Sequence, residues 1–182
     1  MTRRRLSVAT LTLVLAACAS SAAPSQSSPA EPEPVTDAAR DVAFALTLSV
    51  DRAAFRPSEP ISVAASWTYL GPKGAERAFH AAQPVGFVIE EIGGGRRMGG
   101  GMDMPCLFTD VVAGLPVAVP FGKAGEVTDD PSAGFDLAWY QDPVLRLPAG
   151  SWRIIAYLDV YLGDCGGESH ALEASVGVVV EP

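Results

Sequence analysis

The chain has 182 residues, 48% of them apolar, with 13 Lys and Arg against 21 Asp and Glu for a formal net charge of −8. That balance argues against nucleic acid as a partner, because an acidic surface repels phosphate and the only basic pair beyond the first residues is Arg96-Arg97. The length allows one compact domain of about 140 residues behind an N-terminal leader.

Arg3, Arg4 and Arg5 open the chain as a charged region, and Leu6 to Leu15 follow as an apolar run. The run is too short for a hydrocarbon core that needs about 20 residues, so it reads as an export signal, residues 1–17. Leu15-Ala16-Ala17-Cys18 closes it. This segment resembles the lipobox of bacterial lipoproteins, in which the cysteine is lipidated and becomes the new N-terminus. The resemblance implies that Cys18 anchors the protein to a bacterial membrane with its domain on the extracytoplasmic side. Two or three acyl chains, at about 0.8 kcal/mol per buried methylene, hold a soluble domain where one chain would not. Without Arg3 to Arg5 the basic residues fall to 10 against 21 acidic ones, a net charge of −11.

Residues 18–40 are rich in Ala, Ser, Pro and Glu, with Pro24, Pro29, Pro32 and Pro34 spaced through them. Such a composition buries too little apolar surface to offset ordering entropy and predicts a disordered tether. The folded domain is then residues 41–182.

From Val42 to Val50 the large apolar side chains fall on alternate residues, the period of a strand with one buried face. After the turn Phe55-Arg56-Pro57-Ser58-Glu59-Pro60, the same period returns at Ile61, Val63, Ala65, Trp67 and Tyr69. Further strands are predicted over 75–80, 85–92, 107–113 and 117–121, with fainter alternation over 135–140 and 144–147. The last two are the clearest: Trp152, Ile154, Ala156, Leu158 and Val160, then Leu172, Ala174, Val176, Val178 and Val180. Gly, Pro and Asp punctuate them all, and no helical period of useful length occurs. The expectation is an all-β domain, an immunoglobulin-like antiparallel β-sandwich of seven to nine strands. The turn "FRPSEP" and the stretch "LRLPAGSWRIIAYLDV" resemble bacterial immunoglobulin-like modules. The second is also similar to the late strands of intracellular proteinase inhibitor (BsuPI-like) domains, which would imply an inhibitor-like role. The chain departs from that family in its export signal, its Gly-rich insertion and its lack of the family's tryptophan-centred middle motif.

Cys106 and Cys165 remain once Cys18 is assigned to the anchor, and two cysteines in an exported domain are expected to pair. Closing a loop of 59 residue steps stabilises the fold by roughly 4 kcal/mol in the chain-entropy model.

Residues for catalysis are sparse. There is no asparagine, and only His80 and His170 could serve as bases. No Gly-x-Ser-x-Gly elbow is present, and Ser169 and His170, being adjacent on a strand, would point to opposite faces. Both histidines are expected at exposed strand ends. Glu90 and Glu91 would likewise diverge, and Asp129, Asp130 and Asp136 match no calcium-loop spacing. The expectation is a protein that is not an enzyme and needs no cofactor.

The stretch "GGGRRMGGGMDMPC", residues 93–106, holds Met98, Met102 and Met104, which are all the methionines after Met1. Two readings stand. Soft thioethers on flexible glycines suit Cu(I). Alternatively, Arg96, Arg97, Met98, Met102 and Met104 form a contact surface for an envelope protein or ligand, as loops on rigid scaffolds often do.

Overall fold

The computed structural model describes residues 33–100, 105–124 and 135–182. The signal stretch, Cys18, most of the tether, Met102, Met104, Asp129 and Asp130 lie outside the described residues.

The chain forms an all-β sandwich of a four-stranded and a six-stranded sheet. Its strands are β1 (Val35–Arg40), β2 (Phe44–Val50), β3 (Ala54–Phe55), β4 (Val63–Tyr69) and β5 (Ala75–Glu91). They continue as β6 (Arg97–Met98), β7 (Leu107–Val112), β8 (Pro116–Pro120), β9 (Gly150–Leu162) and β10 (Glu168–Val180). One helical turn, α1 (Leu137–Gln141), lies in the long connection between β8 and β9. The first sheet runs β1-β2-β4-β8, antiparallel throughout. The second runs β3-β10-β9-β5, with β6 and β7 pairing successive parts of β5's far side. The pairing of β3 with β10 is parallel.

Alternation drives the packing. Phe44, Leu46, Leu48 and Val50 face Trp152, Ile154, Leu158 and Val160 across the sandwich, and all are buried. Phe44 sits 5.7 Å from Trp67 and 5.5 Å from Tyr69, in tilted geometries that favour ring edges on ring faces.

Four sequence expectations change. Residues 35–40, assigned to the tether, form β1. Its polar sequence carries no apolar period, and long-range bonds hold it: six residues pair with β2, and the Asp37 carboxylate accepts the Ser175 amide at 2.8 Å. The two strands predicted over 75–92 are one strand, β5, whose ladder with β9 shifts register between His80 and Val85. Pro84 sits in that irregularity, where a missing N–H costs no ladder bond. Residues 135–140 form no strand, because Asp136 caps α1 by accepting the Trp139 amide at 2.7 Å. Of residues 144–147 only Leu145 pairs, in a single bridge to Ile61. With β1, β3 and β6 added, the described residues contain ten strands.

The registers give the sandwich two distinct ends. Val35, the turn after β3, α1 and the last residues of β10 lie at one end, which we call the proximal end. The turns Arg40–Phe44, Tyr69–Ala75 and Leu162–Glu168, and the connection from β7 to β8, lie at the opposite, distal end.

Candidate functional site

The 93–106 stretch begins at the proximal end and is more structural than its composition suggests. Arg96 donates from Nε to Glu91 at 2.9 Å and lies 4.7 Å over the Trp152 ring. The Arg96 bond holds the Glu91 carboxyl below the usual carboxylate range. Arg97 is exposed on β6, but Met98 is 1% exposed and packs in the core. Met98 pairs with Ile89 on β5 and so points inward with it, and its sulfur accepts the Ala124 amide at 3.3 Å. The contact role expected of Met98 is thereby corrected: a two-residue strand, too short to read from sequence, draws it inside. Gly99 permits this, since φ is +94° and a Cβ there would meet the Phe87 carbonyl oxygen at 2.2 Å.

Both histidines are buried, not exposed at strand ends. His170 donates from Nδ1 to Asp41 Oδ2 at 2.7 Å, and its Nε2 is buried without a partner, 3.9 Å from Glu168. Burial alone would raise the Asp41 carboxyl. The bonds from His170 and from the Phe44 and Ala43 amides outweigh it and hold the group below the usual carboxylate range. His80 bonds the Ala81 carbonyl at 2.7 Å and the Thr109 hydroxyl at 2.9 Å. Glu90 pairs with Arg153 at 2.8 Å, and Asp136 is spent on its cap. Among the described residues, no three His, Cys, Asp or Glu side chains gather as metal ligands.

Cys106 and Cys165 are disulfide-bonded with a Cα separation of 5.9 Å. The bond ties the start of β7 to the turn between β9 and β10, and among the described residues β7 is the outermost strand of that part of its sheet. Near it the distal end exposes apolar side chains that sequence alternation alone did not mark. Leu107, Phe108, Val112 and Leu115 are all exposed, Phe108 at 50% and Leu115 at 58%. Gly114 donates to the Tyr69 carbonyl at 2.9 Å, which brings exposed Leu70 beside the same turn. On the outer face, Phe108 pairs with Phe79 and Phe79 with Tyr161, an aromatic row across β7, β5 and β9. The Phe79 and Phe108 rings are 6.0 Å apart. Arg77 lies 4.0 Å over the Phe108 ring and reaches the Asp110 carboxylate at 3.2 Å.

A concavity of about 420 Å³ opens at the proximal end between Pro57, Ser58, Phe135, Trp139, Arg146 and Pro148. Its wall depends on Lys123, whose ammonium donates to the carbonyls of Trp139, Asp142 and Val144 at 2.6, 2.7 and 3.0 Å. The same ammonium lies 4.0 Å from the Trp139 ring, and Phe135 stacks on that indole at 3.9 Å. Trp139 is held by these groups, so the concavity offers a ligand the ring's edge more than its face. No family model matches the chain, and no curated protein sequence matches it.

Proposed function

We propose that the chain is a non-enzymatic binding module, lipid-anchored through Cys18 and displayed on the extracytoplasmic side of a bacterial membrane. One observation carries this reading: the exposed apolar side chains of Leu70, Phe108, Val112 and Leu115 lie toward the end opposite Val35, where the chain leaves the domain toward Cys18. Exposed apolar side chains at the end away from the tether are available to a partner, and such side chains mark contact sites. The disulfide supports the same reading, because it stiffens the presenting edge and suits an oxidising compartment.

Fractionation and capture test the two halves separately. Cys18→Ser should release the protein from membranes or leave its signal uncleaved, and processed Cys18→Ser protein that still sediments with membranes refutes the anchor. In crosslinking within native membranes, the wild-type chain should yield a discrete adduct that Leu115→Asp abolishes. An adduct unchanged by that exposed substitution moves the binding role away from the distal end.

A further inference from the structure

Among the described residues, β7 has a ladder partner, β5, on one side only, so its other edge offers backbone N–H and C=O groups to an incoming strand. Two cross-strand rows end at that edge on the outer face. One is Tyr161–Phe79–Phe108, and the other is Arg77–Asp110. Directly opposed side chains are the unit of sheet stabilisation, so each row specifies what should continue it: an aromatic or β-branched residue beside Phe108 and a cation beside Asp110. The Asp110 side chain is 72% exposed, and Arg77 engages only one of its oxygens.

We infer that β7 takes an extended segment of another protein as an added strand, one that carries Lys or Arg opposite Asp110 and an aromatic or β-branched residue opposite Phe108. This rests on the reading of the chain as a binding module and names the chemistry of its partner. A second copy does not fit. The β7 sequence LFTDVV has no cation to set against Asp110, one of its self-pairing registers opposes Asp110 to itself, and each copy, without Arg3 to Arg5, carries 10 basic against 21 acidic residues, a net charge of −11. Residues 19–32, 101–104 and 125–134 contain no Lys or Arg to set beside Asp110. The disulfide at Cys106 limits the freedom of β7 and lowers the ordering cost of docking.

The test uses the full chain and two end-blocked peptides, Val-Thr-Arg-Val-Tyr-Thr and the same sequence with Glu in place of Arg. Written antiparallel to β7, they place Arg or Glu opposite Asp110 and Tyr opposite Phe108. The Arg peptide should slow amide exchange at 107–112 and bind roughly five-fold or more tighter than the Glu peptide. Asp110→Lys, an exposed change, should invert that preference. Equal binding of the two peptides, binding by neither, or protection at β1, β6 or β8 would overturn the inference. Protection of 107–112 without peptide in a concentration-dependent dimer would overturn it too, by giving the edge to a second copy. The anchor is unaffected by any of these outcomes, since fractionation of Cys18→Ser reads it alone.

Discussion

Replacing Cys106 and Cys165 together by alanine removes a crosslink spanning 59 positions. Neither side chain belongs to the core, so little packing is lost and the effect falls chiefly on the unfolded chain. The chain-entropy expression for that loop gives about 4 kcal/mol, a large fraction of a typical domain's stability. At the usual proportionality for a domain of this size, the melting temperature should fall by roughly 10 °C. Urea titration followed by tryptophan fluorescence separates the possible origins, because Trp67 and Trp152 are both fully buried. If the bond acts by confining the unfolded state, its loss lets that state expand, so the midpoint falls and the m-value rises. Amide exchange adds a local reading: β7, held by β5 on one side and the disulfide at its start, should open before the β9–β10 pair. A stability loss below about 1 kcal/mol with an unchanged m-value would refute the account.

Other positions give equally direct readings. Trp152→Ala should cost roughly 3 to 5 kcal/mol by cavity formation, since the indole packs 5.9 Å from Phe135 and donates to the Pro148 carbonyl at 2.9 Å; a denaturation midpoint corresponding to less than about 1 kcal/mol contradicts the inward assignment. Asp41 has a folded pKa below its unfolded one, so its contribution is present above the ordinary carboxylate range and is lost as pH falls through the folded value. Wild-type stability should therefore decline on acidification more steeply than that of Asp41→Asn, and parallel pH profiles would exclude the His170–Asp41 link as the cause. Lys123→Met should cost about 2 kcal/mol by stranding three carbonyls and should weaken the near-ultraviolet dichroism of Trp139, whereas a spectrum identical to wild type would show that Phe135 and the bond from Trp139 Nε1 to the Arg146 carbonyl suffice to orient the indole.

The strands that alternation revealed are those whose burial is decided locally. In β2, β4, β9 and β10 each inward side chain follows from the period of two, and Trp152 is inward as expected. Where the sequence misled, the deciding partner was remote. His170 is buried because Asp41, 129 positions away, accepts the hydrogen bond from its Nδ1–H, and β1 exists because β2 and Ser175 bond it. Met98 was visible as an unusual residue in a glycine-rich run, yet its direction depends on pairing with Ile89. The disulfide was legible from the cysteine count together with the export expected from residues 1–17. The apolar distal edge was not, because Leu107, Phe108 and Val112 look like ordinary strand residues until the topology leaves β7 outermost. Lys123 carried no signal at all, since its three acceptors are backbone carbonyls.

With the proposed anchor and partner both engaged, the placement of Val35 at one end and β7's outer edge toward the other would also set how the domain bears force. A pull between such an anchor and such a partner would run along the strands, nearly perpendicular to the ladder hydrogen bonds. All six residue pairs between β1 and β2 would then be loaded together in shear, and none could be peeled away one at a time. The first strand, polar and unremarkable in sequence, would act as the lashing that lets a short hairpin transmit tension into the body of the sandwich.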